Sequence, residues 1–292
     1  MISIIALTQQ FDAISLNEMN EVALLNRFDS KYQLSAGKLY EVLEAIKDDY
    51  YILEIDGKRK HSYQTLYYDS SADNLYINHH NGKLNRMKIR KRAYMDSGLV
   101  FLEIKKKNNK GKTRKLRMIA ENKNASFSAK ELHFLSENTD FDFHLSNFTL
   151  PVKNTNSFER ITLVNKDFSE RCTIDIHLVS YSSSKKLELG DIVVVELKQG
   201  SINEKTPLCL ALNYFRIKPG GFSKYCIGRA FLEPGLKRNL FKERLIQLRK
   251  QFKNEIALTA LHKKSTLTFI ENKNYGSDTG YDYQRAAQVA GH

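Results

Sequence analysis

The sequence predicts an α+β protein: an antiparallel β-barrel of about eight strands with a charged interior and helices packed on the outside. Three observations carry this. First, six segments (27–31, 88–94, 100–107, 113–118, 171–178 and 193–198) alternate charged and apolar residues. Their period of two places successive side chains on opposite faces of a strand. Second, the polar faces mix Arg and Lys with carboxylates and carry few of the Thr, Ser and Gln usual on solvent-facing strands. Third, the positive charge is concentrated. Of 292 residues, 46 are Lys or Arg and 33 Asp or Glu, a net charge of +13, and residues 83–117 hold 14 bases against only Asp96 and Glu103. A half-solvated sheet accounts for one such strand. Six of them point to charges turned inward, an apolar outer face under helices, and closure that leaves no exposed edge.

The elements follow in order. Residues 1–23 form an N-terminal lead-in without the basic region and apolar core of a signal peptide. Residues 24–34 read as a strand. Ser35 then caps a helix over about 35–49, with Leu39, Val42, Leu43 and Ile46 on one face. Strands are predicted over 63–69, 85–95, 99–107 and 113–119, joined by turns such as Asp96-Ser97-Gly98 and Asn108-Asn109-Lys110-Gly111. Three more follow over 157–165, 171–179 and 191–198. Residues 203–217 read as an apolar helix. The barrel domain is therefore placed at 24–234, followed by a basic amphipathic helix over 235–262, with seven bases and one acid between Lys237 and Lys253. Beyond Lys263 the periodicity fades, and 263–292 is expected to be a mobile tail.

Composition removes several classes. A hydrophobic fraction of 41% supports a sizeable core. Three Cys at unpaired spacing argue against a disulfide framework or a four-cysteine zinc site. Cys172 falls on an apolar strand face and Cys209 in an apolar helix, the places of packed residues. His61, His79 and His80 lack zinc-ligand spacing and read as surface-loop residues. His177 shares the polar parity of its strand but reads as a strand-end residue. No apolar run approaches the roughly 20 residues needed to span a bilayer. The chain is expected to be soluble and cytoplasmic, with peripheral membrane contact by the 235–262 helix as a secondary reading. Nucleic acid is disfavoured, because the bases alternate with carboxylates and lack stacking aromatics at regular spacing.

A charged interior needs a counter-ion. Cations of one sign in a lumen repel each other and lose hydration unless an anion pairs with them. Arg supplies a planar fork for phosphate and Lys a point charge. The carboxylates Glu103, Asp175 and Glu196 either pair with neighbouring bases or hold a divalent cation beside phosphate oxygens. At this level both roles stay open.

A series of motifs then stands in order: Arg27-Phe-Asp-Ser-Lys31-Tyr32, Tyr63-Gln-Thr-Leu-Tyr-Tyr-Asp69, Lys88-Ile-Arg90-Lys-Arg92-Ala-Tyr94 and Phe101-Leu-Glu103-Ile-Lys105. Arg171-Cys-Thr173-Ile-Asp175, Val195-Glu196-Leu-Lys198 and Phe222-Ser223-Lys224-Tyr225 complete it. Over residues 24–232 the series resembles the VTC domain, the polyphosphate polymerase module of the vacuolar transporter chaperone family and its stand-alone bacterial relatives. The resemblance implies the triphosphate tunnel fold of the CYTH-like superfamily. It also implies transfer of the γ-phosphoryl group of ATP to polyphosphate or pyrophosphate, with Mn2+ or Mg2+. Carried over by motif, Arg90, Arg92, Lys105 and Arg171 are the implied catalytic cations. Arg27, Lys31, Lys115, Arg117, Lys198, Ser223 and Lys224 are implied phosphate-binding residues, and Glu196 the metal ligand. Hydrolytic tunnel relatives open with Glu-x-Glu-x-Lys. The Arg27-x-Asp29-x-Lys31 of this chain favours the polymerase-like branch, while Gly221 stands where the polymerases lead one to expect a further Lys. A triphosphatase and a non-catalytic polyphosphate or triphosphate binder are the alternatives.

Overall fold

The computed structural model describes residues 4–19, 28–121, 124–143, 149–201, 205–252 and 256–260. In chain order the first elements are α1 (Ile4–Thr8), β1 (Asp12–Ile14), α2 (Leu16–Met19), β2 (Phe28–Ser35), α3 (Ala36–Ile46), β3 (Tyr50–Leu53) and β4 (His61–Tyr68). There follow α4 (Asn74–His80), β5 (Arg86–Tyr94), β6 (Val100–Lys107), β7 (Thr113–Ile119), α5 (Ala129–Asn138), β8 (Val152–Asn165) and β9 (Glu170–Tyr181). The last are β10 (Lys185–Glu188), β11 (Ile192–Gln199), α6 (Pro207–Tyr214), α7 (Lys224–Leu232), α8 (Lys242–Gln251) and β12 (Ala257–Ala260).

The eight strands read from the sequence are β2, β4–β9 and β11. They form one antiparallel path, β2-β11-β9-β8-β4-β5-β6-β7. Short strands extend it: β3 and β1 beyond β8, and β10 and β12 beyond β9. Among the described residues no ladder joins β2 to β7, so the predicted closure is not made by hydrogen bonds. Instead the 218–223 loop occupies the free edge of β2. Tyr32 bridges Pro219, and the Gly220 N–H donates to the Lys31 carbonyl at 2.7 Å. That satisfies edge groups which a closing strand would otherwise have to meet.

The outer face is apolar and covered, as the alternation predicts. Leu34, Ile174, Val193, Val195 and Leu197 pack beneath α3 and α6. The Ser35 hydroxyl accepts from the Lys38 N–H at 3.2 Å, and Leu39, Val42, Leu43 and Ile46 are buried. Leu66, Ile89, Leu102 and Ile104 pack against Leu135 of α5, which opens with a Ser128–Glu131 capping box. Lys91 also faces outward, sandwiched between two lumen arginines in sequence. It is fully buried against Glu131 at 3.0 Å and donates to the Asn124 and Ser126 carbonyls.

One end of the concave face is filled by α7, an element the apolar pattern does not reveal. Val194 and Phe158 share the parity of Glu196 and Arg160, yet they pack on Phe222, Ile227 and Phe231. The approach is close enough that a Cβ at Gly228 would lie 2.2 Å from the Ser180 hydroxyl. A bulge in β9, where His177 has φ +51°, switches the alternation. Leu178 therefore faces α7, while His177 points outward, 65% exposed, and pairs with Glu159.

Three readings are corrected by packing. The basic helix expected over 235–262 is only Lys242–Gln251, preceded by a 3-10 turn at Asn239–Phe241, and Ala257–Ala260 pairs with β10. The apolar helix of 203–217 runs Pro207–Tyr214. His61 is buried in β4 and His80 in α4, where its Nε2 accepts the Leu240 N–H at 3.1 Å, so neither is a surface-loop residue. His79 also belongs to α4 rather than to a loop. The segment 263–292 lies outside the described residues.

Candidate active site

Register alone stacks charge on the concave face. Arg90 stands opposite Glu103, which stands opposite Arg117, and the next row is Lys88, Lys105 and Lys115. Across the channel Lys31 stands opposite Glu196, Asp29 opposite Lys198, and Lys198 opposite Arg171. The two walls face each other, since Lys105 on β6 feels Glu196 on β11.

Each carboxylate is already committed. Glu103, 1% exposed, takes Arg90 through Nε at 2.6 Å and Nη2 at 2.5 Å, and Lys115 at 2.9 Å. Asp175, 2% exposed, accepts a fork from Arg160 at 2.6 and 2.9 Å and a contact from Lys224. Glu196 pairs with Lys31. Burial would raise all three carboxyl pKa values. The neighbouring cations outweigh it and hold them below the ordinary range: Arg90 and Lys115 for Glu103, Arg160 and Lys224 for Asp175, Lys31 and Lys198 for Glu196.

Among the described residues Arg92 and Lys105 are left without a carboxylate, and Lys88 meets only the Ser223 hydroxyl. Arg92 is 8% exposed and has no carboxylate partner among the described residues. Its Nε donates to the Thr65 hydroxyl at 3.3 Å, and the rings of Tyr63 and Phe158 lie beneath the guanidinium. Lys105 has neither hydrogen bond nor ion pair among the described residues. Arg90 first, and then burial, depress its ammonium well below the usual range. Lys115 is lowered to about 8 by burial that Glu103 only partly offsets, with Arg90 and Arg117 adding to it. The Tyr67 phenol, stacked on Tyr225, shows the same field: burial raises it, yet Arg90, Arg92, Lys88 and Lys224 pull it below its usual value.

The N-terminus of α7 enters the same space. Ser223 caps it by accepting from the Cys226 N–H at 3.3 Å, and also accepts from Lys88 Nζ at 3.0 Å. One channel thus gathers a helix N-terminus and cations from β2, β5–β9, β11 and α7. The VTC domain family matches residues 26–233. The chain belongs to that family.

No curated protein matches the VTC-domain chain. Solved structures similar to it include a Hippeastrum protein provisionally named an adenylyl cyclase and described as having a dominant triphosphatase activity. It shows 12% identity and a TM-score of 0.43, over 70% of this chain and 95% of that one. The PH1819 protein of Pyrococcus horikoshii OT3 shows 12% identity and a TM-score of 0.39, over 70% and 98%. A Vibrio parahaemolyticus protein, provisionally named an adenylate cyclase, shows 12% identity and a TM-score of 0.36, over 78% and 88%.

Within this VTC domain the channel brings together Lys31, Arg90, Arg92, Lys105, Lys115, Arg117, Arg171, Lys198, Ser223, Lys224 and Glu196. Arg27 lies outside the described residues. Arg160, Lys88, Tyr67 and Thr173 join them, although the motif series implies no role for these four. Arg160 lies on the predicted 157–165 strand, and its parity with Phe158 is the signal that could have found it. Lys88 shares the lumen face of its strand with Arg90 and Arg92. A Cβ at Gly221 would have no atom within 4 Å, so a side chain could leave the backbone there without a clash at its first carbon.

A divalent metal is the remaining element that the family resemblance implies. Among the described residues no group of three or more His, Cys, Asp or Glu could hold an ion. Glu196, however, stands opposite Thr173, whose buried hydroxyl has no partner. Cross-strand neighbours lie about 5 Å apart. This pair offers hard oxygen donors for an ion that arrives with phosphate oxygens and water completing its shell, the usual habit of Mg2+.

Proposed function

We propose that this chain transfers the γ-phosphoryl group of ATP to a pyrophosphate or polyphosphate acceptor within the channel. Membership of the VTC domain family supports the class. The observation that carries it is the pair of cations, Arg92 and Lys105, left without a carboxylate where every lumen carboxylate is already taken. Such cations are costly to bury alone and favour a compact polyanion.

In this reading Arg90, Arg92 and Arg160 grip the triphosphate oxygens through guanidinium forks, and Lys105, Lys224 and Lys31 add point charges. Arg171, Lys115, Arg117 and Lys198 extend the positive field, while the Ser223 hydroxyl and the first N–H groups of α7 orient one phosphate. Glu103 and Asp175 hold Arg90, Arg160 and Lys224 in place before substrate enters, so little reorganisation is needed at the moment of transfer. The acceptor is itself a phosphate oxygen, largely ionised near neutrality. The residues therefore need only align donor and acceptor and stabilise the spreading charge. Glu196 and Thr173 would hold Mn2+ or Mg2+, which when bound neutralises phosphate charge.

The test is incubation with ATP and Mn2+ in the presence of a pyrophosphate primer. Long-chain product supports the proposal, phosphate release alone replaces it with hydrolysis, and tight binding without turnover leaves a binding module. Arg92→Ala or Lys105→Ala is expected to lower the rate about 10²- to 10³-fold, the scale for removing one charge-stabilising donor. Among the described residues no helix is long and apolar enough to cross a membrane. A cytoplasmic location belongs to the proposal.

A further inference from the structure

The lumen face does not end at the inner ring. Along β5 the inward parity continues from Arg90 through Lys88 to Arg86, and on β6 from Lys105 to Lys107, which stands opposite Arg86. Arg86 lies four residue steps along the strand from Arg90, a rise of about 13 Å. Positive charge thus extends beyond what the inner ring alone requires.

At this rim stands His79, on the last turn of α4. Its neighbour His80 is pinned, with Nε2 accepting the Leu240 N–H and Nδ1 against the Asn81 side chain at 2.9 Å. The His79 side chain makes no hydrogen bond among the described residues, and its Nδ1 is buried without a partner. The charged groups acting on it are Arg86 and Lys88 from β5 and Lys107 from β6, all positive. The 3-10 turn contributes only the ring of Phe241, at 6.5 Å. Burial and these three cations press the imidazole down to about 3, so it is neutral at any physiological pH. Burial is the larger cause and stays, but the cations' share is removable: an anion seated among Arg86, Lys88 and Lys107 cancels their field, and its own charge opposes the effect of burial. The C-terminal position on α4 then favours a cation.

We propose that His79, Arg86, Lys88 and Lys107 form a rim subsite for a phosphate group beyond the third of a bound chain, and that His79 takes up a proton as that phosphate enters. The inference rests on the phosphoryl-transfer reading for the identity of the ligand. The proton comes from solvent and leaves both ring nitrogens as donors, with the buried Nδ1–H directed at a phosphate oxygen. Longer chains then gain a charge-assisted hydrogen bond that a triphosphate confined to the inner ring does not reach. No bond in the phosphate chain is made or broken at this subsite.

The experiment follows the imidazole signals of the whole chain by NMR, with the His79 resonance assigned through His79→Gln. Titrations are run free, with tripolyphosphate, and with a medium-length polyphosphate, while calorimetry measures binding of each. The free protein should keep His79 neutral down to pH 5. Polyphosphate should raise its midpoint by at least about three pH units, back to near the ordinary imidazole value, and tripolyphosphate by clearly less. The Arg86→Gln/Lys107→Gln variant should raise the midpoint in the free protein and reduce the preference for the longer chain about tenfold, with tripolyphosphate affinity retained. Tight polyphosphate binding with an unmoved His79 signal overturns the subsite while sparing the proposed function. Failure of both chains to bind overturns the two together.

Discussion

Replacing Asp175 with Asn removes the one negative charge between Arg160 and Lys224. All three side chains are largely buried, with Asp175 at 2% exposure and its partners at 14% and 15%. Breaking a buried ion pair from one side costs about 3–5 kcal/mol, because the remaining charge is left uncompensated. At roughly 2–4 °C per kcal/mol for a chain of this class, Tm should fall by roughly 6–20 °C. The stranded cations are also phosphate ligands in the proposed reaction, so tripolyphosphate can take the place of the carboxylate. Wild type at a hundredfold excess over Kd gains about 2.7 kcal/mol from ligand binding. The variant should gain more, recovering a large part of its deficit. The acid limb gives a second check. Asp175 is depressed below its unfolded value, so its stabilisation is present above about pH 3.9 and is lost as pH falls through the folded value. The two melting curves should therefore converge only in strong acid. Thermal melts from pH 2 to 8, with and without tripolyphosphate, read all three effects. A variant that melts within a degree or two of wild type, or gains no more from tripolyphosphate, would refute the reasoning.

Three further outcomes follow from neighbouring residues. Lys91→Met strands Glu131 beneath α5 and should cost about 3–5 kcal/mol in denaturant titration, whereas Lys91→Met/Glu131→Leu should recover most of it; equal losses would deny the buried pair a role. Glu196→Gln should raise the half-saturating Mn2+ concentration about tenfold or more, the scale for losing a metal-site contact. Metal-free tripolyphosphate should bind at least as tightly, because Lys31 is released, and an unchanged metal requirement would reduce Glu196 to the partner of Lys31. Lys115 is lowered to about 8, so between pH 8 and its unfolded value the folded state holds fewer protons and stability rises with pH. Relative to Lys115→Arg, wild type should gain stability over that window while its tripolyphosphate affinity falls. A flat profile in both would contradict the assignment.

How much of this is legible in the chain depends on the range of the interaction concerned. Ser35 and the spacing of Leu39, Val42, Leu43 and Ile46 specify α3 locally, and the turns at Gly98 and Gly111 place the β5–β6–β7 ribbon. Arg90, Arg92 and Lys105 can be put on one face because parity needs only the strand itself. Lys91 is excluded from that face by the same rule, but nothing local reveals that Glu131, forty residues later, meets it under a helix. The bulge at His177 breaks parity in mid-strand, and α7 hides a channel plug inside a segment that reads as a motif.

The amino-acid sequence by itself determined that positive charge lines one face of successive strands, because side-chain direction in a strand is set residue by residue. Only the tertiary structure decided which of those charges are spent. Glu103, Asp175 and Glu196 neutralise Arg90, Arg160, Lys224 and Lys31, while Arg92 and Lys105 keep their demand for an anion. Pairing across strands depends on register and curvature between residues far apart in the chain, and no local period encodes it.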